Sequence, residues 1–113
     1  MLLYRPVGIK EYELVKESGF KVFPPRLPQQ PIFYPVLNQE YAEQIAKDWN
    51  TRDENSGFVG IVLRFIIDDD YIKQFDPHIV GNRMHAEYWI PAEILDEFNQ
   101  NIIGNIEVVS EFR

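Results

Sequence analysis

The sequence predicts an α+β domain. Three observations lead there. Strand-like and helix-like stretches follow one another in the order β-α-β-β-α-β-α-β-α-β, and each is short. No long strand–helix–strand repeat is present, so a doubly wound parallel sheet is not expected. The 113 residues suffice for one hydrophobic core and little more, so one domain is expected over residues 1–113.

The first stretch, LLYRPV, suits a strand. Leu3, Tyr4 and Val7 fit a pleated surface and Pro6 fits a strand end. Gly8 breaks it. A helix follows in IKEYELVKESG, where Ile9, Tyr12 and Val15 share one face and Gly19 stops the chain. FKVF has alternating faces and predicts a second short strand; IFYPVL predicts a third. Asn38 then caps a helix over QEYAEQIAKDWN, whose Tyr41, Ala42, Ile45, Ala46 and Trp49 form an apolar stripe. TRDENSG is a polar turn. FVGIVLRFIID is the longest strand candidate. It is apolar on both faces, which places it at the centre of a sheet. DDDYIKQF suits one or two helical turns opened by aspartates. DPHIVGNRMH is expected to be loop, with a Gly81-Asn82 turn. AEYWI is a strand, and Pro91 opens the helix PAEILDEFN. The last strand, IIGNIEVVSEFR, is bent at Gly104, and its apolar Ile106 to Val109 segment is expected inside a sheet.

One stretch stands apart: FPPRLPQQPIFYPVLN, with prolines at Pro24, Pro25, Pro28, Pro31 and Pro35. A solvated linker would not carry the apolar PIFYPVL. A ligand for a proline-reading domain would be regular and exposed. A stiff, ordered loop fits better, each compatible proline stabilising by about 0.4–1 kcal/mol because it lowers the unfolded chain's entropy. Phe33 and either Val36 or Leu37 should then be buried.

Composition excludes several classes. Hydrophobic residues make up 45% and charged residues 26%, which is globular rather than disordered. The net charge of −7 argues against general nucleic-acid binding and against docking on anionic membranes. A single nucleotide needs only one or two arginines and stays compatible. With no cysteine, disulfides, thiolate catalysis and cysteine-ligated metals are impossible. The N-terminus lacks a signal-peptide pattern and no apolar run would span a bilayer, so a soluble cytoplasmic protein is expected.

Three polar residues interrupt apolar strand stretches: Arg5 in LLYRPV, Tyr34 in IFYPVL and Glu87 in HAEYWIP. A charge near a buried strand end is costly unless paired or used. The plain alternatives are a structural ion pair or exposed ends for Arg5 and Glu87, and a rim aromatic for Tyr34. No metal site is expected. His78 and His85 lack ligand spacing, and Asp68, Asp69 and Asp70, being consecutive, suit a helix N-terminus instead. No glycine-rich phosphate loop occurs, and Ser18, Ser56 and Ser110 have no adjacent histidine, which disfavours a serine hydrolase.

LYRPVG with SGF, then FPPRLP, QPIFYPVLN, EYA and DWN, and finally PAE, EFN and IEV, resemble a family of short bacterial proteins labelled "ADP-ribosylation/crystallin". The resemblance spans nearly the whole chain. The element order is similar to the ADP-ribosyltransferase-like fold, in which two small splayed sheets and short helices surround a cleft that holds NAD. The resemblance implies that Arg5, with Tyr4 beside it, contacts the dinucleotide and that Tyr34 stacks on nicotinamide. It implies that Glu87 bonds a ribose hydroxyl and that Arg26 reaches a phosphate from the proline rim. His85 stands where many members carry a second acid or an amide, and would orient an acceptor. IFYPVL stands where one active branch has a serine-rich strand start. The implied function is binding of NAD or an ADP-ribosyl compound, with transfer of ADP-ribose. The alternatives are a non-catalytic module that meets a protein partner through its apolar rim, and a structural subunit that dimerises through a strand edge.

Overall fold

The structure, a computed structural model, describes residues 1–79, 81 and 85–113. It is a mixed α+β domain of small sheets and short helices. Strand β1 (Leu2–Val7) pairs antiparallel with β3 (Gly60–Ile67), and β3 pairs with the long β7 (Ile102–Phe112). Helices α1 (Ile9–Glu17) and α4 (Leu95–Gln100) supply Val15, Leu95 and Phe98 to the main core. That core also holds Leu3, Val7, Ile61, Leu63, Phe65 and Ile67. Helix α2 (Gln39–Asp48) covers the opposite face, where Ala42 and Ala46 pack with Val36 and Val62. The period-2 alternation of β1 and β3 thus feeds two layers at once.

The local rules explain most boundaries. Asn38 caps α2 by accepting from the Tyr41 amide at 2.7 Å. Asp68 caps the short α3 (Asp69–Ile72) by accepting from the Tyr71 amide at 2.9 Å. Asp69 takes the N-terminal ammonium at 2.6 Å and Asp70 lies 3.5 Å from Lys73, so the three acids point to three different places. The polar turn TRDENSG winds into two 3-10 turns, Asn50–Arg52 and Glu54–Ser56. The bend at Gly104 is present, at φ +75°, beside an irregularity in the β3–β7 register.

A ribbon beside β1 carries the site. Short β2 (Ile32–Phe33) pairs with β6 (Ile90–Pro91), and β4 (His78–Ile79) pairs with β5 (Ala86–Glu87). Val36 bridges to Tyr4 on one side and Glu87 on the other. Ile32 opposite Pro91, Phe33 opposite Ile90 and Val36 opposite Glu87 share one register. This is one ladder interrupted at Tyr34–Pro35, where proline has no amide to give. The Pro35 carbonyl still accepts from the Tyr88 amide at 2.9 Å. Phe33, Pro35 and Val36 are buried, so the stretch is an ordered part of the domain.

Four expectations need correction. FKVF is not a strand. Phe20 sits at φ +60°, and the Ser18 hydroxyl accepts from the Lys21 and Val22 amides at 3.2 and 3.3 Å. The Asn99 side chain then pairs with both backbone groups of Phe23, each at 2.9 Å. A distant side chain replaces a neighbouring strand. DPHIVGNRMH is not all loop, because His78–Ile79 forms β4; Asn82 of the expected turn lies outside the described residues. The Ile106 to Val109 segment is not interior, because β7 is the last strand of its sheet and Val108 is 45% exposed. The helix at Pro91 begins as a 3-10 turn, Ala92–Ile94, and becomes α-helical at Leu95.

Asn99→Ala should destabilise the domain by about 2–3 kcal/mol, since it deserts two Phe23 backbone groups. Urea unfolding of the variant beside the wild type measures this. A loss below about 0.5 kcal/mol would mean that water replaces both bonds.

Candidate functional site

Alternation along β1 turns Leu3, Arg5 and Val7 to the same side, so a guanidinium is carried in with the core residues. Arg5 is only 8% exposed. Its Cζ lies 4.6 Å from the centre of the Phe33 ring, a cation–π contact. A buried cation needs a counter-charge, and Gly8 makes one available. It separates β1 from α1 by a single residue, so the first turn of the helix lies over the strand end. A Cβ at Gly8 would meet the Ser56 Cα at 2.6 Å, so this tight connection requires glycine. From that first turn Glu11 accepts two bonds from Arg5: from Nε at 2.7 Å and from Nη2 at 2.9 Å.

Arg26 reaches the same carboxylate from the proline loop. Its Nη1 lies 3.7 Å from Glu11 Oε1, longer than a hydrogen bond, and its Nε is buried with no hydrogen-bond partner among the described residues. Burial first, and neighbouring Arg5 second, hold Arg26 below the usual arginine value, with Glu11 opposing them. Two guanidiniums thus share one carboxylate, and one positive charge is left without a counter-ion within this trio. That is notable in a chain of net charge −7.

The trio lines a cleft of about 940 Å³, within the roughly 300–1,000 Å³ typical of small-molecule sites. Pro24 and Pro25 wall it on one side, while Trp49, Asp53 and Ser56 come from the end of α2 and the 3-10 turns. Tyr34 and Trp89, opposite each other across the interrupted ladder, complete it with Glu87. Tyr34 is exposed because the neighbouring Phe33 takes the inward position. The Tyr34 and Trp89 rings meet edge to face at 6.3 Å. The Trp89 ring also stacks on His78 at 3.8 Å and 5°. Trp89 Nε1 donates to the Glu87 carboxylate at 3.2 Å and orients it.

Of the candidate residues, Arg5, Arg26, Tyr34 and Glu87 meet in this cleft. Tyr4 and His85 are not among its walls. Tyr4 precedes Arg5 on β1 and therefore faces the other layer, packed with Val36 and Ala42. His85 stacks on Tyr41 at 4.5 Å. Sequence reasoning missed Glu11, Trp49 and Trp89. The buried Arg5 next to a one-residue Gly8 turn was the signal for Glu11: a first-turn acid lies within reach of such a strand. Among the described residues no three histidine or acidic side chains gather that could hold a metal ion, and no helix is long and apolar enough to cross a membrane.

No family model matches the chain, and neither a curated protein nor a solved structure matches it significantly. Glu11→Ala should cost about 2–4 kcal/mol of stability, because it leaves Arg5 buried without its counter-charge. The double variant Arg5→Met with Glu11→Leu should recover most of that loss. Chemical unfolding of the three proteins measures it, and a single variant as stable as the wild type would refute the pairing's structural role.

Proposed function

We propose that the cleft binds NAD or a related ADP-ribosyl compound, on an ADP-ribosyltransferase-like variant of the α+β scaffold. One observation carries this: Arg26 lies half-buried beside Arg5, both reach the Glu11 carboxylate, and the buried Arg26 Nε has no hydrogen-bond partner among the described residues. A guanidinium so placed is completed by an anion with several oxygens, and phosphate fits its fork. The aromatic walls Tyr34 and Trp89 suit a planar ring, and the resemblance in sequence points the same way. Arg26 supplies the first phosphate contact, while Arg5, its fork occupied by Glu11, shapes the floor.

If the bound NAD reacts, the bond between nicotinamide and the ribose carbon breaks and its electron pair leaves with nicotinamide. The ribose becomes cationic at the barrier. The oxygen of water or an acceptor hydroxyl then bonds to that ribose carbon, and its proton passes to solvent. Glu87, oriented by Trp89, offers negative charge to that cation and an oxygen to a ribose hydroxyl. A non-catalytic protein-binding role is the alternative. It is favoured by the exposed Leu27, Trp49, Tyr34 and Trp89 along the cleft.

Calorimetric titration with NAD and ADP-ribose tests binding, and nicotinamide release tests chemistry. Glu87→Gln should lower release by about 10²–10³ while changing binding little, because an amide fills the space without the charge. Arg26→Gln should weaken binding first. Equal release by wild type and Glu87→Gln removes Glu87 from catalysis. Absence of both binding and release in the wild type would favour the protein-binding role.

A further inference from the structure

Resting on the nucleotide assignment above, we propose that Glu11 sets the charge of the anion this site accepts. Its carboxylate lies between two guanidiniums, as a bound phosphate would. It accepts from Arg5 Nε and Nη2 at 2.7 and 2.9 Å and stands 3.7 Å from Arg26 Nη1. Glu11 is thus a tethered anion in the subsite itself. The two guanidiniums and one carboxylate carry one net positive charge, which matches one singly charged phosphate of a dinucleotide's diphosphate bridge. A doubly charged phosphate monoester or free pyrophosphate must share Arg26 with Glu11 and is repelled by it at close range, where the cleft wall screens less than water.

Removing that charge while keeping the side chain's shape gives the trio two positive charges and loosens Arg5 from its partner. The glutamine of Glu11→Gln can still accept one bond from Arg5. Only the charge and one acceptor are lost, and both changes favour an incoming anion.

The probes are inorganic pyrophosphate and ADP-ribose, titrated into wild type, Glu11→Gln, Arg26→Gln and the double variant. Binding is followed by calorimetry and by the rise in thermal midpoint. Glu11→Gln should bind pyrophosphate about tenfold more tightly than wild type, one decade for one removed like charge. Arg26→Gln should lose affinity, and the double variant should forfeit most of the gain. A folded Glu11→Gln with unchanged or weaker pyrophosphate affinity overturns the proposal, because Glu11 would then serve Arg5 alone. So does a Glu11→Gln that fails to fold even at millimolar pyrophosphate. If wild type binds NAD or ADP-ribose while Glu11→Gln shows no gain, only this proposal falls. If neither protein binds pyrophosphate, ADP-ribose or NAD, the nucleotide assignment falls with it.

Discussion

A guanidinium on the inward side of the first strand is the constraint around which this end of the molecule is organised. Arg5 cannot lie beside Phe33 and the core without a counter-charge, and Glu11 is the residue that supplies it. The supply depends on the one-residue connection at Gly8, and that connection depends on the absence of a side chain against Ser56. Strand, turn and helix are therefore coupled through one ion pair. The helix that buries Val15 in the core also brings an acid over the strand end.

The cleft follows from the same arrangement. The proline loop is held at its start by Asn99 and at its end by the β2–β6 ladder, so Arg26 is delivered to a carboxylate that is already engaged. An isolated buried ion pair contributes little net stability once desolvation is counted. A second arginine on the same acid adds a like charge at close range, which favours folding even less. Such an arrangement is understandable when a ligand's anion completes it. The aromatic pair Tyr34 and Trp89 arises where Pro35 interrupts a ladder, so the irregularity that weakens the ribbon also opens a surface for a planar group.

The sequence was legible where one local rule decides the outcome. The α2 stripe with its Asn38 cap, the central apolar β3, the Asp68 cap and the Gly104 bend each rest on periodicity or a capping residue within a few positions. It was not legible where a distant partner decides. FKVF has strand-like alternation, yet its backbone groups are met by Ser18 and by Asn99, 76 positions away from Phe23. The apolar β7 was expected inside a sheet, but pattern alone does not say how many neighbours a strand has. Within the site, burial arguments picked out Arg5, Tyr34 and Glu87, which share the cleft. Tyr4 did not join them because adjacent strand residues face opposite layers. Glu11 escaped notice because an acid in a helix's first turn needs no partner to be explained.

The central claim is that Arg26 is an anion-binding guanidinium held ready by Arg5 and Glu11. Nitrogen-15 NMR of the arginine Nε–H groups tests it most directly. On addition of ADP-ribose, the Arg26 Nε–H resonance should move progressively to a saturated position, while the Arg5 resonance, fixed by Glu11, should move much less. An unchanged Arg26 resonance at ligand concentrations that perturb other residues would contradict the account.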